Sequence, residues 1–458
     1  MSTEQPIRVL ATCNLGLGFS YRGLKAGVER EPHLIACDAG SADFGPYFLG
    51  TGEVQKSRAT LKRDLSLLIQ AAREIGVPFI TGSAGGAGAR PHVDATVDLV
   101  REIAHEQSLN FRLATIPADI PPALVRERLA QGRVTSLGQV ADLTDGAIAS
   151  SSAIVGMMGV EPYIKALEMG AEVIVAGRST DPAIFAGVPL RAGISPGSAW
   201  HASKCIDKGY LATTRPQDGS PVLATISNDE FVIEPTRDGA QCTVKSVATV
   251  TLHENPDPFR VAQPTGTIDT TNATYHQHDE HCVRVTGSEY APALEPTIKL
   301  EGAALVGYRK ILIAGVRDPR LIERFDEYLD AYRAAIARAA RSLDINDADY
   351  RLQFRTYGKD AVMGSFEPLR DRPSHEVGLI VDIVGRTREI ASALASRLGP
   401  SGSRLDIVGR MGGGGNFAYP FSPSLIDVGP VYEWSIWHLM GIDEPELVDL
   451  FPVEMQDV

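Results

Sequence analysis

Long apolar runs are missing from this chain. No stretch approaches the roughly 20 apolar residues a membrane helix needs, so no membrane partner is expected. Paired cysteines are missing too. The five cysteines, at 13, 37, 205, 242 and 282, are scattered and contain no CxxC. That pattern argues against a disulfide framework or a zinc knuckle and fits a reducing cytoplasm. The start, MSTEQPIRVLATC, lacks a basic region followed by a greasy one, so no secretory signal is visible. Excess positive charge is absent as well. The net charge is -13, which predicts no nucleic-acid partner. An acidic substrate is still allowed, because a site needs only a few local cations.

What is present reads as a globular protein. The 458 residues are 44% hydrophobic and 22% charged, and the length suggests two or three domains. Strand and helix signals alternate over residues 1–215: IRVLATC, HLIACD, VPFITGS, FRLATIPAD and AEVIVAG read as strands, with helical spacing between them. This predicts a mostly parallel, layered α/β sheet with helices on both faces. Residues 216–300 are rich in Thr and Val, and runs such as CTVKSVATVTLHE predict an antiparallel β-rich insert or second domain. Residues 301–458 read as an α/β segment, with an amphipathic helix over 319–342, a glycine-rich loop and a final helix near 441–451.

Ligands of open α/β sheets bind beyond the carboxyl ends of the strands. The residues found there are Asn14 and Gly16, then Asp38, Ser41 and Asp43, then Ser83, Gly85 and Gly86, then Arg178 and Asp181. Asp38 or Asp43 could serve as a general base, although Asp also caps turns everywhere. Asp181 stands before Pro182, which capping alone explains. Arg178 offers a planar fork for a carboxylate or phosphate, unless it pairs with Asp181 or Asp38. Glycines in the turn after the third strand would let backbone N–H groups approach an anion, or would merely permit a tight turn. The run Gly412 to Gly415 with Asn416 suggests a mobile loop, in which Gly414 and Asn416 would touch a ligand. His276, His278 and His281 cluster in YHQHDEH, but a hairpin-like context argues against a metal site.

In its order of segments the chain resembles the acyclic terpene utilisation family of AtuA-like proteins. The resemblance is carried by the strand and Ala-Gly-Gly turn from Ile80 to Gly86, and by an apolar strand ending in Gly177, Arg178, Asp181 and Ala183. The run TVKSVATVTLHENPDPF and a later VRVTG complete it, over roughly residues 5 to 340. Where the family often has Asn-Pro after the turn, this chain has Ala87-Gly88-Ala89-Arg90. The resemblance implies catabolism of branched or unsaturated carboxylic acids, often as coenzyme A thioesters. Long members carry a small C-terminal α+β domain, so a separate small subunit is a candidate partner.

These readings together predict a lyase of hydro-lyase or carbon–carbon type that needs no metal or other cofactor. Asp38, Asp43, Arg178 and Asp181 are the candidate catalytic residues. Asn14, Gly16, Ser41, Ser83, Gly85, Gly86, Gly414 and Asn416 are the candidate substrate-binding residues. A hydrolase or isomerase using the same site, or a noncatalytic ligand-binding subunit, are the alternatives. The aromatic tail VYEWSIWHLMGI, residues 431–442, predicts a homo-oligomer with residues 411–440 near the contact.

Overall fold

The computed structural model describes residues 5–399, 405, 417–443 and 446–458. The chain is mixed α/β and divides into two compact units, one of residues 1–304 with 434–458, the other of residues 305–433. The division between these units falls at 304/305 and 433/434. The β-rich stretch 216–300 belongs to the first unit.

The first unit is built on a ten-stranded sheet. Its centre is parallel: Ile7–Ala11, Leu34–Asp38, Phe79–Gly82, Val173–Ala176 and Arg112–Ile116 lie side by side in that order. Both faces of these strands are buried, which explains their short, unbroken apolar sequences. On one face Leu10, Ile35, Phe79 and Val175 join Leu24, Leu65, Leu68, Val93 and Val100 of three helices in one core. On the other face Gly82 lies directly beneath Tyr163 and Ile184.

The expectation of a mostly parallel sheet needs correction. Val222–Ile226, Glu230–Pro235, Val283–Thr286 and Thr274–Gln277 extend one side, and Glu454–Asp457 closes the other, all in antiparallel pairing. The physical reason is loop length. Only three residues join Val222–Ile226 to Glu230–Pro235, whereas a parallel crossover takes about a dozen or more.

A second correction concerns CTVKSVATVTLHE. Val244–Leu252 is a helix, not a strand. Thr243 caps it, and Thr243 and Ser246 form a reciprocal capping box. Val247, Val250 and Thr251 supply its buried face. The hairpin of Thr274–Gln277 and Val283–Thr286 carries the histidine cluster, where Arg284 donates a 2.9 Å hydrogen bond to His278 Nδ1.

In the second unit Phe325, Tyr328, Tyr332 and Ile336 recur along the helix Phe325–Arg341. They pack on Val377, Leu379, Val381 and Ile383, the alternate residues of Val377–Gly385. The expected amphipathic helix is split in two, Pro319–Glu323 and Phe325–Arg341. The tail sequence VYEWSIWHLMG lies within the strand Leu425–Gly441, and the helix after it is only Glu446–Asp449. No helix among the described residues is long and apolar enough to cross a membrane.

Candidate functional site

Three loops at the carboxyl edge of the parallel strands are stitched together by their backbones. Arg178 N–H donates to Gly88 O at 3.1 Å, and Ser83 N–H donates to Gly177 O at 2.8 Å. Glycine is required at two of these contacts. A Cβ on Gly88, where φ is +71°, would stand 2.3 Å from Arg178 N, and one on Gly40 would stand 2.3 Å from Gly86 Cα. The glycines therefore serve the approach of one loop to another. Gly86 N–H is itself occupied, donating to Ser83 O at 3.0 Å.

Charged side chains converge where these loops meet. Asp38 is the last residue of its strand and is fully buried. Lys208 Nζ lies 2.8 Å from Asp38 Oδ2 and 3.0 Å from Asp181 Oδ2. Arg178 makes a bidentate contact with Glu301, Nε to Oε2 at 3.0 Å and Nη2 to Oε1 at 3.2 Å. Its Nη1 donates to Ser83 Oγ at 3.3 Å and to Ser179 O at 3.1 Å, and lies 3.9 Å from Asp181 Oδ1. Lys204 pairs with Asp207, and Lys299 pairs with Glu301, each at 2.8 Å. Tyr163 OH and Ser179 Oγ are 2.7 Å apart in the same buried region.

The two carboxylates on Lys208 are pushed apart in proton affinity. Burial, with the neighbouring charge of Asp181, lifts Asp38 to about 6 against the pull of Lys208. Burial also opposes ionisation of Asp181, but Lys208, Arg178 and Lys204 outweigh it and hold Asp181 below the usual carboxylate range. Burial likewise opposes charge on Lys208, and its two carboxylate partners overcome that and raise it. The ammonium therefore stays charged across the acidic and neutral range in which its two carboxylate partners titrate.

A cleft of about 280 Å³ opens onto this cluster. Arg178, Asp181, Lys204, Glu254 and Lys299 are the charged residues that line it, together with Ser41, Thr180, Asn255 and Gln263. Asp38 is not in its wall. It sits behind Asp181, linked to it through Lys208.

The structure thus brings Asp38, Arg178, Asp181, Ser41 and Ser83 into one region. Asn14 reaches its edge, with Nδ2 3.4 Å from Asp38 Oδ2 and Oδ1 buried without a partner. Gly16 is turned to another task, because its N–H donates to Asp64 Oδ2 at 2.9 Å. Asp43 lies in the short turn Ala42–Phe44, and its side chain is outside the described residues. Gly414 and Asn416, with the rest of the glycine run, also lie outside them.

Sequence reading missed Lys204, Lys208, Lys299 and Glu301. Two signals were available. Lys204, near the end of the small-residue helix Pro196–Ile206, stands one turn before Asp207 and Lys208 in SKCIDKGY, and Glu301 is a lone acid inside the apolar strand Thr297–Val316. Among the described residues, no group of three or more His, Cys, Asp or Glu side chains is placed to hold a metal ion.

Residues 53–191 and 210–409 match the family described as Acyclic terpene utilisation family protein AtuA. No curated protein and no solved structure matches the chain. The family match covers most of the sequence and takes in Arg178, Asp181 and Glu301. The chain belongs to the acyclic terpene utilisation family, a membership that implies a role in the use of acyclic terpenes.

Proposed function

We propose that the chain is a catabolic lyase of hydro-lyase type, acting on a small branched or unsaturated carboxylic acid or its coenzyme A thioester. The observation that carries this reading is the Asp38–Lys208–Asp181 cluster, with two carboxylates of opposed proton affinity on one ammonium and one of them lining a cleft. Titratable pairs whose surroundings push their proton affinities apart mark acid–base assignments.

In such an elimination Asp181 would take the proton next to the carbonyl. The electron pair of that C–H bond becomes the new C=C bond, and hydroxide leaves from the adjacent carbon as water, taking up a proton from solvent, to which Asp181 in turn releases the proton it abstracted. Lys208 would hold Asp181 ionised and oriented beforehand. Asp38 would hold Lys208 and set the charge behind it. Arg178, already fixed by Glu301, would contribute positive potential beside the developing enolate. That same fixing favours a second reading, a noncatalytic ligand-binding subunit, because a fork filled by Glu301 is not open for a substrate carboxylate.

Deuterium uptake separates the two. Short branched acyl thioesters incubated with the protein in D2O should gain deuterium at the carbon beside the carbonyl. Asp181→Asn should slow this by about a hundredfold or more. Uptake that is absent from the wild type across the set, or unchanged in Asp181→Asn, would overturn the lyase reading.

A further inference from the structure

The cleft carries more positive charge than proton removal at Asp181 uses. Lys204, from the helix Pro196–Ile206, and Lys299, from the strand Thr297–Val316, both contribute to its wall. Their countercharges stand behind them. The Asp207 side chain is 0% exposed and that of Glu301 is 2% exposed, and neither lines the cleft. Lys299 is further fixed by Trp437, whose ring centroid lies 3.3 Å from the ammonium. Each lysine is thus aimed by a buried carboxylate on one side and meets the cleft on the other. Holding a buried ammonium, Lys204, and a partly buried one, Lys299, against an open cleft costs desolvation, and a ligand anion would offset that cost.

The remaining wall is mostly polar. Thr180, Asn255 and Gln263 bring hydrogen-bonding groups and Glu254 brings a carboxylate, so Arg178, Lys204 and Lys299 outnumber Asp181 and Glu254 by one charge, and the apolar side chains are few, such as Met157 and Val261. Sites for hydrocarbon tails are lined mainly by apolar and aromatic residues. A ten-carbon branched chain lying here would cover lysine and amide groups without hydrogen-bonding to them.

We infer that the cleft takes a short acyl chain bearing a second, free carboxylate remote from the reacting carbon, and that Lys204 and Lys299 hold this carboxylate. The inference deepens the lyase reading of the same site and rests on it for the reacting end. It assigns the ligand class and two binding residues that the proton chemistry does not require.

Equilibrium binding to the full chain tests this without any turnover. In titration calorimetry, 3-methylglutarate should bind at least about tenfold more tightly than 3,7-dimethyloctanoate, since a charge-assisted hydrogen bond is worth about a factor of ten or more. Lys299→Met should weaken 3-methylglutarate by about tenfold, and Lys299→Arg, which keeps the charge, should restore most of the loss. Lys204→Met should act like Lys299→Met. If it does not fold, the Lys299 pair decides alone. Tighter binding of the long monoacid, or an unchanged affinity in Lys299→Met, overturns the inference. Its failure is distinct from failure of the lyase reading. Diacid binding without deuterium uptake leaves the ligand class standing and removes the lyase. Deuterium uptake with preference for the monoacid does the reverse.

Discussion

Lys208 Nζ touches Asp38 at 2.8 Å and Asp181 at 3.0 Å, yet their surroundings shift the two carboxylates' proton affinities in opposite directions. The difference lies in their other neighbours. Asp181 also feels Arg178 and Lys204, whereas Asp38 is buried at a strand end and faces the charge of Asp181. For Asp38 the folded value, about 6, lies above the ordinary 3.8. Protonation of this group therefore favours the folded state. Its contribution is full below pH 3.8 and is lost as the pH rises through about 6. The stability of the wild type relative to Asp38→Asn, from urea unfolding, should fall across that window. A difference that stays flat, or grows with pH, would refute the shift. Asp38, Arg178 and Asp181 were legible because each stands at, or within a few residues past, the end of an apolar strand. Lys208 and Glu301 were not, because neither stands at the end of a parallel strand.

At the scale of elements, the helix Val244–Leu252 shows where pattern and outcome diverge. Its sequence, VKSVATVTL, is rich in β-branched residues and reads as a strand. The capping box decides the other way. Thr243 Oγ1 accepts from Ser246 N at 3.1 Å, and Thr243 N donates to Ser246 Oγ at 2.9 Å. Both bonds occupy groups that a starting helix would otherwise leave unpaired. Thr243→Ala should therefore cost about 1 kcal/mol of stability, and Thr243→Ser should cost little. Unchanged urea midpoints in Thr243→Ala would show that tertiary packing alone holds this helix. The central strands posed no such conflict. LIACD and VIVA are short and wholly buried, and no amphipathic helix could be drawn through them.

At the scale of the whole molecule, each compact unit has a core of its own, one around the parallel strands and one around Tyr328, Tyr332 and Val381. Trp434 and Trp437 are only half-buried, with ring centroids 4.9 Å apart. Paired tryptophans left partly in water favour association with another surface, so the expected homo-oligomer stands as a proposal. Light scattering at micromolar concentration should give a mass above that of one chain, and Trp434→Ala should shift it towards the monomer. A stable monomer in the wild type would refute the proposal.

The sequence by itself determined the alternating strands and helices of the first 215 residues, the family, and the strand-end placement of Asp38, Arg178 and Asp181. Those features depend on local periodicity and on neighbours within a few residues. Tertiary structure alone decided three things. It joined the antiparallel strands of residues 216–300 and the C-terminal strand to the large sheet, set the unit boundaries at 304/305 and 433/434, and brought Lys204, Lys208, Lys299 and Glu301 to the cluster. Lys208 is 170 residues from Asp38, and Glu301 is 123 from Arg178. Charges that far apart meet only after the chain has folded, and burial, which gives their pairing its strength, belongs to no single segment.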